Sequence, residues 1–218
     1  MNPKTPQWKV ALDIFLDKTY THVTENNIAW ALVGSVATYL QGCKISPKDI
    51  DILVKDPASV YIFAEYLKEF FHTGECEYST FLDEKGETLW FSTEKTPVDV
   101  CTDEGGFKWV FARVLIHEIT VEISHITAPE GHPILTAGIW EAGPEIWPYI
   151  TQVIYNNYVL PVVPLEIQLG TNMSRGFNER VDKIVNIFKR NTYNQNLLKK
   201  SLNPEQYTLI QTRLEQIE

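Results

Sequence analysis

Asp49 and Asp51 stand one residue apart in the run Asp49-Ile50-Asp51-Ile52-Leu53-Val54. Its length and its apolar residues predict a β-strand. Successive side chains of a strand alternate between faces, so both carboxylates share one face while Ile50 and Ile52 share the other. Two like charges side by side repel, and each raises the other's pKa. A divalent cation removes that cost, and Mg²⁺ is held by a few carboxylate oxygens together with phosphate oxygens and water. The pair therefore points to a Mg²⁺ site for nucleotide phosphates. The competing reading is an exposed edge strand with alternating charges. The Ile and Leu at the intervening positions argue against it.

A second feature lies just upstream. Ile28 to Val33 reads as a short buried strand, and Gly34-Ser35 turns it into a helix over Val36 to Gln41, closed by Gly42. Such a turn presents unpaired backbone N–H groups to an anion, and the helix dipole adds a small favourable contribution. Gly34 allows a phosphate close to the backbone, and Ser35 offers a hydroxyl. Lys48 can reach a phosphate or remain a solvated charge. Arg175 and Arg180 can grip phosphate oxygens in a bidentate way, or pair on the surface with Glu179 or Asp182. Glu166 falls in the first turn of a helix, where a negative charge is favoured and a structural role is expected.

These residues need elements to hold them. The periodicity predicts helices over residues 5–22 and from Pro57 to about His72, the latter with Asp56 as N-cap and Pro57 in its first turn. The middle predicts strands: a hairpin of Tyr78–Phe81 with Thr88–Ser92 around Asp83-Glu84-Lys85-Gly86, then Val98–Val100, Trp109–Ile116 and Ile119–Ile123. Residues 128–148, rich in Pro and Gly, predict irregular chain. Tyr158–Val163 predicts a last strand. Beyond Pro164 the pattern is helical over 165–173, 176–189 and 204–217, with Asn203 and Pro204 as a start signal. The expected division is a domain of residues 1–163, with residues 164–218 forming helices packed on it.

The segment "VGSVATYLQGCKISPKDIDILV" resembles the nucleotidyltransferase superfamily that includes DNA polymerase beta, and in particular its minimal prokaryotic members. The resemblance extends through "FARVLIHEITVEISHI" and "LPVVPLEIQLGTNMSRGFNERVDKI", over roughly residues 28–190. It implies an α/β (α+β) fold with a mixed sheet flanked by helices. It also implies a site with two Mg²⁺ ions held by Asp49, Asp51 and a third carboxylate on a later strand. Glu122, in Ile119-Thr120-Val121-Glu122-Ile123, matches the third position better than Asp99 in Val98-Asp99-Val100; both stay open. The implied chemistry is in-line attack on the α-phosphate of an NTP, ATP foremost, with pyrophosphate leaving. Glu122 would complete the site and help deprotonate the acceptor. The turn at His117-Glu118, where the family commonly has Gly, is a departure.

Composition bounds the partners. The 218 residues carry a net charge of −9 and no basic block, which disfavours long nucleic acid and is compatible with a small cationic molecule or a protein as acceptor. Cys43, Cys76 and Cys101 show no CxxC spacing and read as free thiols. The five histidines form no zinc set, because His125 falls on the strand face opposite Glu122. Trp90 and Trp109 read as burial sites rather than base-stacking platforms. No run approaches the length of a membrane span, and the N-terminus lacks an apolar leader, so a soluble cytoplasmic protein is expected. Two function classes result: a Mg²⁺-dependent nucleotidyltransferase, or a nucleotide-binding regulator of the same fold without transfer. Oligomeric state is not encoded in these patterns.

Overall fold

The computed structural model describes residues 5–73, 89–135 and 138–216. The expected turn at residues 83–86 and Cys76 lie outside them, as does the first strand of that hairpin. Leu89 to Ser92, the part of its second strand that is described, is not in a strand. Among the described residues the protein is mixed α/β, with mixed sheet flanked by helices. The chain divides into two compact units, residues 1–30 with 48–126 and residues 31–47 with 127–218.

The first unit holds α1 (Gln7–Glu25), β2 (Asp49–Val54), α3 (Pro57–Tyr66), β3 (Asp99–Thr102), β4 (Lys108–Ile116) and β5 (Ile119–Thr127). Its strands lie in the order β3-β4-β5-β2, with β3 antiparallel to β4 and β2 parallel to β5. The core face is built by alternation. Ile50 and Ile52 of β2 are in register with Val121 and Ile123 of β5, and all four are fully buried. Helices α1 and α3 cover this face, with Phe15 stacked on Phe63 at 5.9 Å and Trp30 edge-on to both. Asp56 caps α3 by accepting from the Ser59 N–H at 3.0 Å, as Asp-Pro predicted. The helix stops at Tyr66 and the chain continues as a 3₁₀ turn over Lys68–Phe70, short of the expected His72.

A two-residue turn joins β4 to β5, with His117 (φ 49°) and Glu118 (φ 65°) both left-handed. Positive φ at both central residues is the type I′ signature that matches strand twist. Residues equidistant from such a turn face each other. The buried sets Ile116/Ile119, Val114/Val121 and Ala112/Ile123 obey that symmetry.

The second unit contains the remainder of β1 (Trp30–Val33), then α2 (Gly34–Leu40), β6 (Thr151–Tyr155), β7 (Tyr158–Val162), α4 (Leu165–Ser174), α5 (Asn178–Arg190), α6 (Gln195–Ser201) and α7 (Pro204–Glu215). β1 runs parallel to β7, with Leu32 opposite Val162, and β7 is antiparallel to β6. Val181, Ile184, Val185 and Phe188 of α5 bury one stripe against Leu165 and Leu169 of α4, Leu198 of α6 and Ile210 of α7. Cys43 joins this cluster, and burial pushes its thiol up to about 11. α7 begins with a full capping box between Asn203 and Gln206. No helix among the described residues is long and apolar enough to cross a membrane.

α4 and α6 meet at Gly170, where an added Cβ would lie 2.3 Å from the Ser201 carbonyl oxygen. Alanine is a better helix former than glycine by about 1 kcal/mol, but a backbone clash of this kind costs about 1–3 kcal/mol or more. Gly170→Ala should therefore lower the urea midpoint. An unchanged or raised midpoint would show that the helices separate freely here.

Candidate active site

The carboxylate face belongs to the first unit. Asp49 is exposed and Asp51 half-buried on β2, while Ile50 and Ile52 point into the core, as the alternation predicted. The parallel register sets Asp51 opposite Glu122 and Asp49 opposite Thr120 on β5. Further along the same face, Leu53 and its partner Ser124 are buried, so the carboxylates sit where this face opens to solvent. Asp99 lies on β3, two strands away from β5, and its Oδ1 accepts from the Val100 N–H at 2.9 Å. Of the two candidates for a third carboxylate, Glu122 is the one that neighbours Asp51.

Glu122 is already engaged. Arg113 of β4, which sequence reasoning did not single out, lies opposite it across the hairpin. Arg113 Nε donates to Glu122 Oε2 at 3.0 Å, and Nη2 donates to the same oxygen. Nη1 donates to the Trp90 carbonyl at 3.1 Å, and the guanidinium lies 5.1 Å from the Phe111 ring centroid. Trp90 meets Phe111 edge-on, and Trp109 Nε1 donates to Asp103 at 3.0 Å. His125 Nδ1 stands 3.2 Å from the Val54 carbonyl oxygen.

Two carboxylates on one strand face suit Mg²⁺, which draws its other ligands from phosphate and water. Among the described residues no three His, Cys, Asp or Glu side chains converge as a ready metal set. The fit therefore rests on the aspartate pair with phosphate oxygens, not on a closed protein cage.

The Gly-Ser turn belongs to the second unit. Gly34 is left-handed at φ 60°, which explains glycine at the strand-to-helix step. Its carbonyl accepts from Gln168 Nε2 at 3.2 Å and from Thr38 Oγ1 at 2.8 Å. Its N–H donates to the Glu141 carboxylate. Ser35 is buried. Glu141 lies 3.4 Å from Arg175 Nη1, and Arg180 adds a second positive charge. Arg180 also reaches Asn172 Oδ1 at 3.5 Å and covers the Phe177 ring. Arg175 and Arg180 thus converge on one carboxylate, while Glu179 pairs with Lys183 and Asp182 with Arg213. Glu166 accepts from the Asn194 N–H at 2.7 Å and so holds the start of α6, a structural role.

Glu141 was hidden in a segment without periodicity. It is 5% exposed, and among the described residues its Oε2 has no hydrogen-bond partner. Burial raises its pKa, against the lowering effect of Arg175, Arg180 and the Gly34 N–H. A raised carboxyl binds its proton more tightly folded than unfolded. The stability it contributes is complete below the ordinary carboxylate range and is lost as pH rises through the raised value. Glu141→Gln should remove that decline, leaving a flatter urea midpoint against pH than the wild type. Equal slopes for both proteins would assign the pH dependence to another group.

Neither a protein-family model nor a curated protein matches this chain. Among solved structures it is similar to a crystal structure from Thermotoga maritima described as a candidate nucleotidyltransferase. The match covers 85% of this chain and 94% of that one, with a TM-score of 0.55 and 19% identity. The two share a fold, and the chain has the mixed α/β architecture of that nucleotidyltransferase-like protein.

Proposed function

We propose that this protein is a Mg²⁺-dependent nucleotidyltransferase that moves a nucleoside monophosphate, AMP foremost, from an NTP to a hydroxyl of a small molecule or protein. The observation that carries the reading is the pairing of β2 with β5, which gathers Asp49, Asp51 and Glu122 on one face. The likeness to the Thermotoga maritima structure supports it at the level of fold.

Asp49 and Asp51 would hold Mg²⁺, which when bound supplies positive charge to the phosphate oxygens. Glu122 is the third carboxylate of the proposed site and is held in place by Arg113. Gly34, Ser35, Lys48, Arg175 and Arg180 are assigned to the phosphates on their chemistry. For Gly34, this means that a phosphate oxygen replaces the Glu141 carboxylate as acceptor of its N–H. The acceptor hydroxyl gives up its proton, to Glu122 in this reading, and attacks the α-phosphorus; a new P–O bond forms, and the bond to the pyrophosphate breaks.

One observation favours a second reading. Glu122 is locked to Arg113 and so does not stand ready as a base, as a nucleotide-binding protein without transfer would have it. Titration of a non-hydrolysable ATP analogue by calorimetry, with and without Mg²⁺, tests what the two readings share. Asp49→Asn and Asp51→Asn should each weaken Mg²⁺-dependent binding by more than about tenfold, or 1.4 kcal/mol. Unchanged binding in both variants would remove the site. Transfer of label from α-³²P-ATP to a hydroxyl acceptor then separates the enzyme from the binder.

A further inference from the structure

In the second unit one carboxylate of the chain occupies a set of donors suited to a bound anion. Glu141 sits in a turn over residues 140–143, closed by the Gly143 N–H donating to the Trp140 carbonyl at 2.9 Å. Its own N–H donates to Thr171 Oγ1 at 3.3 Å, which ties its backbone to α4. From there its side chain accepts from the Gly34 N–H and faces Arg175, at 3.4 Å, and Arg180. Two guanidinium groups and a backbone N–H around one point form a donor set that oxyanions take, phosphate above all. All of these residues belong to the second unit.

The resident carboxylate fits this set poorly. Its side chain is 6% exposed, and among the described residues Oε2 accepts no hydrogen bond. The Arg175 contact of 3.4 Å and the Arg180–Asn172 contact of 3.5 Å are long beside the roughly 2.7–2.9 Å of a tight charge-assisted bond. Burial raises the Glu141 pKa in spite of both arginines, so the enclosed charge is held at a cost. The Arg175 side chain is 51% exposed while that of Glu141 is buried, so the cationic side of the site is the one open to solvent. A phosphate has more acceptor oxygens than a carboxylate and can engage both arginines together.

We propose that Glu141 is an internal competitor: its carboxylate holds the anion site of Gly34, Arg175 and Arg180, and a phosphate group of an incoming ligand binds there by displacing it. This rests on the assignment of those three residues to phosphates in the proposed function. Glu141 then sets a threshold for phosphate entry, because apparent affinity is reduced by the fraction of molecules whose site is open.

The test is calorimetric titration of the full chain with inorganic tripolyphosphate in the absence of Mg²⁺. Glu141→Gln keeps an acceptor for the Gly34 N–H and removes the competing charge. It should bind tripolyphosphate more than about tenfold tighter than wild type. Adding Arg175→Gln and Arg180→Gln to that variant should abolish the gain. Equal affinity of wild type and Glu141→Gln, with binding weakened by the arginine substitutions, would overturn the proposal and leave the phosphate assignment standing. A gain that survives the loss of both arginines would overturn it as well. No binding to either protein would remove the assignment and the proposal together. A parallel titration with α,β-methylene-ATP separates the sources of the phosphate: the same gain there supports a nucleotide as the ligand, and a gain with tripolyphosphate alone supports a free polyphosphate. If Glu141→Gln does not fold by circular dichroism, Glu141→Asp, whose carboxylate is one methylene short of the site, should show a gain in the same direction, and its absence would overturn the proposal.

Discussion

The parallel register between β2 and β5 places Asp51 directly beside Glu122 and keeps it there. Neighbouring strands are about 4.8 Å apart. Two unit charges at that separation repel by roughly 3 kcal/mol at an effective dielectric of 20. The opposite face holds the pairing against this. Ile50, Ile52, Val121 and Ile123 are all fully buried there, each contributing about 1.5–3 kcal/mol by leaving water. A slip of one residue would turn this whole set outward. The apolar face therefore dictates where the charges go, and Arg113 supplies the counter-charge where they meet.

The second unit solves a related problem with the opposite sign. A left-handed glycine between β1 and α2 leaves an N–H and a C=O that must be bonded wherever they are buried. Glu141 accepts from the first, while Gln168 and Thr38 bond the second, so the turn is fixed from both sides. That arrangement needs a carboxylate buried next to two arginines. The orphaned Oε2 of Glu141 shows that the satisfaction is incomplete. Any anion that binds the Gly34 N–H has to displace a group already seated there.

Much of this was legible in the residues. Period-two alternation located β2, β4 and β5 and the face that Asp49, Asp51 and Glu122 occupy, because one side of each strand is core. Asp56-Pro57 and Asn203-Pro204 announced their helices by capping chemistry that acts locally. What stayed hidden depends on partners distant in the chain. Arg113 looks like any strand arginine until the hairpin pairing is known. Glu141 lies between Trp140 and Ala142 in a stretch with no period to read. β6 escaped because Thr151, Gln152 and Ile154 are exposed, Ile154 at 82%, and of its five residues Tyr155 alone is buried. α6 has only seven residues, too few to show a helical stripe. The two arginines of the Arg-bearing segment were weighed against Glu179 and Asp182, but those acids take Lys183 and Arg213 instead.

The His117-Glu118 turn has one more consequence, for how such sites can be recognised in bare sequences. A two-residue hairpin is a mirror: each position before the turn has its image at the same distance after it. Arg113 and Glu122 are such images, as are Val114 and Val121 in the core. A charge and its counter-charge placed symmetrically about a short turn therefore form a palindrome in charge. The pattern can be spotted without any knowledge of the fold, provided the search reads outward from the turn instead of along the strand.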